Sequence, residues 1–349
     1  MRIIRQRAHA RVGLIGNPSD GFRGKTISFT LQNFSAEVVL YPWEQLEIIW
    51  SDEDKSRFAS LDELVEDVSL HGYYGGVRLV KATIKRFADY CRLRDWKLHE
   101  QPFSVRYRTS VPRGVGLSGS SAIVVATLRC LMEYYQRDIP LRVQPSLARS
   151  VENDELGIAC GFQDRVVQTY GGLVYMDFSQ PEMIDGYECG SYEWLDPSLL
   201  PPMYLVYDPA ASKTSHSVHG PLRTRVQDNE RLVTTIGQIA ALVPLARTAL
   251  ERRDTARLHE LLNCNFDLRA SLYTIQPAHR RMIETARSVG ASAKFAGSGG
   301  SVVGTYADES MYRRLQQALA AVNPAWRLIK PVVGTPSAPP DHSLANTPR

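Results

Sequence analysis

Residues 112–128, PRGVGLSGSSAIVVATL, place three glycines and three serines directly before an uninterrupted helix-forming run. Glycines let the backbone approach another group closely, because no Cβ atom stands in the way. The N-terminus of the helix that follows carries a partial positive charge and unpaired N–H groups. These properties restrict the stretch to three interpretations: a dinucleotide site, a nucleophile turn or a phosphate-binding loop.

The first two interpretations fit the flanking residues poorly. Gly114, Gly116 and Gly119 match the pattern G-x-G-x-x-G, but the strand before them, FSVRYRTSVP, carries two arginines and ends in proline. A dinucleotide site needs a buried apolar strand there and an acidic residue at the end of a second strand, whereas Glu133 lies inside the helix. A nucleophile turn needs G-x-S-x-G, and Ser120 occupies the position of its last glycine.

A phosphate-binding loop fits the stretch better. Its glycine spacing is that of a P-loop, although Ser120 stands where that motif has its lysine. Backbone N–H groups and serine hydroxyls would bind the phosphates, and a serine could also bind Mg²⁺. On the loop alone, a glycine- and serine-rich turn with a serine N-cap explains the sequence equally well. The residues concerned are Gly114, Gly116, Leu117, Ser118, Gly119, Ser120 and Ser121.

The composition limits the kinds of molecule that the protein is expected to bind. The chain has 349 residues with a formal net charge of +4, and its 41 lysines and arginines form no long run. This length favours two domains, and the weak charge favours an anionic small molecule over nucleic acid. An 18-residue apolar stretch and a signal-peptide pattern are both lacking, so we expect no membrane partner. The cysteines form no C-x-x-C pair, which indicates a reducing, cytoplasmic compartment and no structural zinc.

Hydrophobic periodicity gives a coarse map of the elements. Strands are expected over residues 10–50 and before the glycine-rich loop, and helices over 56–70, 75–93 and from Ser121 onward. A stretch rich in Pro, Gly, Asp and Ser then marks a domain boundary, and long helices and a second glycine-rich loop follow it. We therefore divide the chain into domains at 1–190 and 200–335 and a tail at 336–349, which we expect to be disordered.

Four motifs, in order, resemble those of the GHMP kinases, a family that includes galactokinase, homoserine kinase and mevalonate kinase. RVGLIGNPSD resembles the first family motif, PRGVGLSGSSA the second and KFAGSGG the third. Between the second and the third, VENDELGIACGFQD resembles a galactokinase segment. Over residues 10–335 the sequence is most similar to the glucuronokinase branch. The resemblance implies an α+β fold of two domains, of which the N-terminal one binds ATP, with the active site in the cleft between them.

The resemblance also implies an activity. Such a kinase would use ATP and Mg²⁺ to phosphorylate a sugar acid, D-glucuronate, at its anomeric oxygen O1. Other anomeric sugar kinases, for galacturonate or arabinose, stay open, and so does a non-catalytic protein that senses sugar and ATP. Galactose is disfavoured, because galactokinases carry Glu-His where this chain has Asn17-Pro18. The oligomeric state is left open.

Positions that match the family motifs receive roles from the resemblance. Asp164 matches the catalytic aspartate that accepts the hydroxyl proton, and Arg11 matches the basic residue beside it. Glu152 matches the glutamate that binds Mg²⁺, and either Ser120 or Ser121 should add a hydroxyl ligand. Taken singly, each of these residues could instead be a surface charge or a turn residue.

The substrate-binding residues follow from the same resemblance. Asp20 matches the acidic residue that binds sugar hydroxyls, and Gly299 lies in the third motif. A uronic acid also needs a cation for its carboxylate, ideally an arginine that donates two hydrogen bonds. Arg165 is preferred for this role because it adjoins Asp164. The other candidates are Arg78, Lys213 and Arg223.

Overall fold

The computed structural model describes residues 2–49, 75–210 and 230–337, and its N-terminal part is built on one long strand. Strand β2 (Lys25–Pro42) pairs antiparallel with β1 (Ile4–Ile15) along most of its length. On its other edge, the first half of β2 pairs with β5 (Leu173–Ile184), and β5 pairs in turn with β6 (Tyr187–Leu195). The second half of β2 pairs with β4 (Phe103–Thr109), and β4 pairs in turn with β3 (Glu47–Ile49).

Apolar and polar side chains alternate along the first half of β2, but both faces of the strand are buried. Ile27 and Phe29 point into an apolar cluster and are fully buried. Ser28 and Thr30 on the opposite face are buried as well. The hydroxyl of Ser28 donates a hydrogen bond to the side-chain oxygen of Gln163 at 3.0 Å. The polar face of the strand therefore contacts the segment in which Asp164 was predicted to act.

In the described part of the N-terminal domain, four helices pack on the sheet: α1 (Gly76–Leu93), α2 (Gly119–Tyr135), α3 (Gln144–Ser150) and α4 (Gln163–Tyr170). α2 follows the glycine-rich loop, as predicted, and lies between the sheet and α1. Its residues Ala122, Val124 and Leu131 are fully buried, which anchors the loop at its C-terminal end. A π-helical turn, Val151–Glu155, continues α3. The helix predicted at 56–70 lies outside the described residues.

Within residues 201–210 and 230–337, the C-terminal part contains a second, antiparallel sheet and four further helices. The strands follow the order β10-β7-β9-β8. They are β7 (Met203–Tyr207), β8 (Lys294–Phe295), β9 (Ser301–Thr305) and β10 (Arg327–Ile329). The helices are α5 (Glu230–Glu251), α6 (Thr255–Ala270), α7 (Pro277–Ser288) and α8 (Glu309–Val322). Two sheets with helices packed on them make this the α+β fold that was expected.

The two parts share one apolar cluster. Val12 and Phe29 of the first sheet belong to the same cluster as Leu205 and Val303 of the second, and Val243 of α5 joins them. All five side chains are fully buried. The relative position of the two sheets is thus fixed by close packing, and residues at their junction have defined partners on both sides.

The expected tail begins later than the sequence indicated. Pro336 forms an isolated antiparallel bridge with Gly171. The N–H of Ser337 donates to the carbonyl of Tyr170 at 2.7 Å. The prediction of disorder from residue 336 was therefore wrong for these two residues, whose backbone pairs with the end of α4. Residues 338–349 lie outside the described part.

Among the described residues, α5 is the one helix whose length and apolar composition would allow it to cross a membrane. In the structure, Val243, Ala246 and Leu250 on one side of it are buried in the shared cluster. Leu245 on another side is 48% exposed. A helix in the core of a globular protein has the same composition, and α5 is packed as one.

The shared cluster yields a stability prediction. Phe29→Ala should lower the free energy of unfolding by about 3–5 kcal/mol, because it leaves a cavity where both sheets meet. Leu245→Ala, at an exposed position, should change it by less than about 0.5 kcal/mol. Urea unfolding midpoints of both variants and the wild type measure the difference. Equal midpoints for the two variants would contradict the role given to this cluster.

Candidate active site

Arg11, in the first motif, contacts the other three motifs at one point. Its side chain, which β1 carries, is 4% exposed. Nε donates to Oδ1 of Asp164 at 2.8 Å, and Nη2 donates to the same oxygen. Nη1 donates to the carbonyls of Gly116 at 3.2 Å and Ala296 at 2.7 Å. The first motif thus contacts the glycine-rich loop, α4 and the C-terminal loop through a single guanidinium.

The environment of Asp164 keeps its carboxyl group ionised. Burial raises the pKa of Asp164, but the guanidiniums of Arg11 and Arg165 and the hydroxyl of Ser118 lower it by more. The resulting pKa lies below the usual aspartate range. Its side chain is 20% exposed, so one side of the carboxylate is open to a ligand. A carboxylate that is charged and reachable can accept a proton from a bound hydroxyl.

Asp20 fixes the start of the helix that carries Asp164. Its Oδ2 accepts the N–H groups of Phe162 at 2.9 Å and Gln163 at 3.1 Å, and its Oδ1 accepts the side-chain amide of Gln163 at 3.1 Å. A Cβ at Gly161 would lie 2.0 Å from Oδ2, so only glycine admits this approach. Burial, followed by the charge of Asp164, raises the pKa of Asp20. In this arrangement Asp20 is a cap for α4, whereas the sequence indicated a ligand of sugar hydroxyls.

The glycine-rich loop has a backbone suited to anions. Gly114, Gly116 and Ser118 have φ angles of 70°, 73° and 65°. Positive φ at alternate residues is the conformation in which successive N–H groups form a concave anion site. The loop ends in the N-terminus of the 17-residue α2, which has no acidic residue in its first turn. The positive end of the helix is therefore open to a negative ligand.

The two glycine-rich loops pack directly on each other. A Cβ at Gly116 would lie 2.8 Å from the carbonyl oxygen of Gly299 and 2.9 Å from the backbone nitrogen of Ser298. At Gly119 the nearest atoms would be those of Val111, at 3.4 Å. The close approach predicted for glycines in this loop therefore applies to Gly116 more than to Gly119. Gly299 belongs to the C-terminal loop, and its carbonyl oxygen faces Gly116 in this contact.

The serines after the loop differ in their partners. Ser121 is 1% exposed, and its hydroxyl donates to the carbonyl of Ser118 at 3.2 Å. Ser120 is half-buried, and the described residues include no hydrogen-bond partner for its hydroxyl. Leu117 is 1% exposed, backbone included, and its carbonyl accepts the backbone N–H of Arg11 at 3.1 Å, so it offers little to a ligand. The sequence left Ser120 and Ser121 equivalent as hydroxyl ligands, and this geometry favours Ser120.

Glu152 and Arg165 form a buried ion pair. Both side chains are at most 3% exposed, and Nη2 of Arg165 donates to Oε2 of Glu152. Nη1 of Arg165 lies 3.5 Å from Oδ2 of Asp164 and 3.2 Å from the carbonyl of Gly161. Arg165 is therefore a poor candidate for the substrate carboxylate, because two protein carboxylates already hold it. For the same reason Glu152, the predicted Mg²⁺ ligand, has a protein cation as its partner in this structure.

Of the other three candidates for the substrate carboxylate, one lies in the described part of the chain. Arg78 is half-buried on α1, and Lys213 and Arg223 lie outside the described residues. In the described ranges no three His, Cys, Asp or Glu side chains are grouped so as to hold a metal ion. A magnesium ion here would thus depend on few protein ligands and on phosphate oxygens, as is usual for that ion.

A second contact between the domains was not anticipated from the sequence. Lys294 is 1% exposed, and its Nζ donates to the carbonyl of Gly13 at 2.7 Å and to Oδ1 of Asn17 at 2.6 Å. Burial lowers the pKa of this lysine far below its usual value, and the charges of Arg269 and Arg11 lower it further. Asn17 is thus turned inwards to the C-terminal loop. Only the position of Lys294 in the third motif signalled its importance.

Comparison with known proteins places the chain among phosphotransferases. The sequence pattern of the GHMP kinases N terminal domain matches residues 78–172, and that of the GHMP kinases C terminal domain matches residues 246–325. Glucuronokinase 1 of Arabidopsis thaliana is 45% identical over 307 residues, which cover 86% of this chain and 84% of the relative. Probable glucuronokinase 2 of the same plant is 45% identical over 309 residues, with the same coverage.

Solved structures share the fold at low identity. The galactokinase of Lactococcus lactis, in complex with galactose, aligns with a TM-score of 0.72 at 14% identity and covers 96% of this chain and 94% of its own. The phosphomevalonate kinase of Streptococcus pneumoniae aligns with a TM-score of 0.73 at 16% identity and covers 95% of this chain and 100% of its own. At such identities these structures support the architecture alone.

The cap on α4 can be tested with one methyl group. Gly161→Ala should displace the Asp20 carboxylate and free the backbone amides of Phe162 and Gln163. Hydrogen exchange of these amides should then accelerate roughly tenfold or more, which is equivalent to the loss of one hydrogen bond. Hydrogen–deuterium exchange followed by mass spectrometry measures this. The control is Gly237→Ala, whose Cβ would meet no atom within 4 Å. Unchanged exchange at the start of α4 in Gly161→Ala would disprove the cap.

Proposed function

The chain belongs to the GHMP kinase family and is an ATP-dependent sugar-acid kinase, and on that premise we propose its reaction in detail. The substrate is D-glucuronate, the phosphoryl group is transferred to the anomeric oxygen O1, and the products are D-glucuronate 1-phosphate and ADP. The identity of 45% to two plant glucuronokinases, over most of both chains, supports the choice of sugar. The buried contact between Arg11 and Asp164 is the observation that supports the chemistry.

Asp164 is the proposed base. The oxygen of the O1 hydroxyl forms a bond to the γ-phosphorus, the bond from that phosphorus to the β,γ-bridging oxygen breaks, and ADP leaves with its electron pair. The hydroxyl proton passes to the carboxylate of Asp164. A carboxylate of low pKa is a weak base, which suits a loose transition state in which the hydroxyl has lost little of its proton. Positioning the hydroxyl is then as important as basicity.

Arg11 acts on this step through Asp164. Its guanidinium holds the carboxylate ionised and in place, and its remaining described bonds go to the carbonyls of Gly116 and Ala296. We therefore regard Arg11 as a positioning residue that acts through Asp164. The loop from Gly114 to Ser121 binds the ATP phosphates through its N–H groups and the positive end of α2.

Magnesium fits this site through Ser120. Its hydroxyl lies at the first turn of α2, beside the proposed phosphate loop, and has no partner among the described residues. Glu152 could join it only by giving up Arg165. A bound Mg²⁺ would neutralise charge on the β- and γ-phosphates. We also propose a cytoplasmic location, because all five cysteines are free thiols.

Removal of the base should abolish most of the activity. Asp164→Asn is expected to lower kcat for D-glucuronate at least about 100-fold while ATP affinity changes little. Coupled ADP release measures kcat, and calorimetry measures ATP binding to the folded variant. Because Arg11 and Arg165 depress the pKa of Asp164, the wild type should lose activity only when the pH falls below the ordinary aspartate range. Near-normal turnover by Asp164→Asn would remove it from this role.

The two serines should respond differently to magnesium. Ser120→Ala is expected to raise the Mg²⁺ concentration for half-maximal activity roughly tenfold, which corresponds to about 1.4 kcal/mol. Ser121→Ala should leave that concentration nearly unchanged, because the hydroxyl of Ser121 already bonds to the backbone. Magnesium titrations at saturating ATP and sugar compare the two variants, and calorimetry of MgATP binding checks the result without turnover. The opposite order would assign the ligand to Ser121.

A further inference from the structure

The C-terminal glycine-rich loop turns its carbonyl groups towards buried cations. Each of the four carbonyls of residues 295–298 accepts a hydrogen bond from a cationic side chain. The pairs are Lys294 Nζ with Phe295 at 2.8 Å, Arg11 Nη1 with Ala296 at 2.7 Å, Arg269 Nη1 with Gly297 at 2.7 Å and Arg269 Nη2 with Ser298 at 3.2 Å. The three cationic residues are at most 4% exposed, so the carbonyls point into the protein.

The N–H groups of the same loop are left without partners. The N–H of Ala296 donates to the carbonyl of Ser301 at 3.1 Å, but those of residues 297–300 have no hydrogen-bond partner among the described residues. Gly299 and Gly300 have φ angles of 143° and 76°, which side chains other than glycine rarely allow. Three of the four residues are buried, and buried N–H groups without a partner are rare and costly. A row of such donors is suited to an anion.

Arg269, which α6 carries, holds two of the four carbonyls and has no carboxylate as partner in the described part of the chain. Its Nε donates to the hydroxyl of Tyr273. The guanidinium carbon lies 5.2 Å from the centre of the Phe295 ring and 5.7 Å from that of Tyr273. Three neutral oxygens and two aromatic rings therefore compensate its burial, and they fix the plane of the guanidinium.

The position of Arg269 has a direct effect on two of the free donors. The carbonyl of Gly297 belongs to the same peptide group as the N–H of Ser298, and the carbonyl of Ser298 to the same group as the N–H of Gly299. A trans peptide group points its carbonyl and its N–H in opposite directions, so fixing the carbonyl also aims the N–H. A cation bonded to the carbonyl polarises the group and makes its N–H a stronger donor.

Positive charge is in excess behind the loop. The three cations are close enough together that the charges of Arg269 and Arg11 lower the pKa of Lys294. Among the described residues, Asp164, the partner of Arg11, is the one carboxylate that bonds to any of the three. An anion on the N–H side of the loop would offset this excess.

The free donors adjoin both the phosphate loop and the proposed base. The backbone nitrogen of Ser298 would lie 2.9 Å from a Cβ at Gly116. Arg11 bonds at once to the carbonyls of Gly116 and Ala296 and to the carboxylate of Asp164. The anion that moves from the phosphate loop to an acceptor beside Asp164 is the γ-phosphoryl group. This group, more than the carboxylate of the sugar, must therefore pass the donors of the C-terminal loop.

We propose that the N–H groups of residues 297–300 bind the oxygens of the γ-phosphoryl group, and that Arg269 is the positioning residue that aims and polarises these donors. The proposal rests on the proposed function for the place of Asp164 and adds a residue that acts on phosphoryl transfer from outside the four motifs. From the sequence Arg269 had no assigned role, because an arginine in the last turn of a helix is commonly explained by the helix dipole.

Two nucleotides that differ by the γ-phosphoryl group test the proposal. Calorimetry would compare the magnesium complexes of ADP and of AMPPNP, a non-hydrolysable analogue of ATP, on the wild type, Arg269→Met and Arg269→Lys. We expect Arg269→Met to weaken AMPPNP binding about tenfold or more, the equivalent of one hydrogen bond to a charged group, and to leave ADP binding within about twofold. Arg269→Lys keeps the charge without the planar fork and should fall between. If Arg269→Met does not fold, Arg269→Lys carries the same comparison.

Arg287→Met is the matched control. Arg287, on α7, stacks on the ring of Phe266 at 5.2 Å and donates to the carbonyls of Asn263 at 2.9 Å and Ala293 at 3.3 Å. It thus resembles Arg269 in its packing but bonds to no carbonyl of residues 295–298. A general loosening of the C-terminal domain would appear in both variants, whereas a selective loss of AMPPNP affinity should appear in Arg269→Met alone.

Kinetics separate positioning from structural support. Arg269→Met should lower kcat at least about tenfold and leave KM for D-glucuronate within a few-fold, because the donors act on the group in transfer. Equal losses of ADP and AMPPNP affinity would show structural support only and overturn the proposal. It would also be overturned if AMPPNP binding were unchanged while the variant bound D-glucuronate, but not its neutral analogue D-glucuronamide, more weakly, since the loop would then serve the sugar carboxylate. If the wild type does not phosphorylate D-glucuronate, the proposed function fails, while the nucleotide comparison still decides the role of Arg269.

Discussion

The buried guanidinium of Arg11 is the interaction on which the site depends. A charge with 4% exposure is stable only when its donors are paired, because desolvation is costly. Here the partners are Asp164, the carbonyl of Gly116 and the carbonyl of Ala296, from three separate segments. Each segment can occupy its position only while the other two do. The glycine-rich loop, Asp164 and the C-terminal loop are therefore assembled as one unit, although Ala296 lies 285 positions after Arg11 in the sequence.

Two neighbouring carboxyl groups acquire different properties from their surroundings. The pKa of Asp20 is raised by burial and by the charge of Asp164, while that of Asp164 is lowered by the guanidiniums of Arg11 and Arg165. Pairs of titratable groups whose pKa values are pushed apart indicate how acid–base roles are divided. Asp164 is the one that stays ionised and partly exposed, so it is suited to receive a proton. Asp20, enclosed by N–H groups, is suited to hold the helix.

The sequence predicted those features that are encoded locally. The glycine-rich loop and the helix after it follow from the order of small and apolar residues, whereas the link between Arg11 and Asp164 was implied by the resemblance to the kinase family. It could not predict that Arg165 would be buried, because that depends on the π-helical turn that brings Glu152 beneath it.

The pair formed by Glu152 and Arg165 bears on how the metal is held. A carboxylate that is 2% exposed needs a cation beside it, and Arg165 supplies that charge in this structure. Mg²⁺ could use the same carboxylate only if Arg165 withdrew, which would leave a buried guanidinium with a single acidic neighbour, Asp164. The two cations therefore compete for Glu152. Because Mg²⁺ retains several waters and binds mainly to phosphate oxygens, the proposed site at the Ser120 hydroxyl and the triphosphate would leave Arg165 in place.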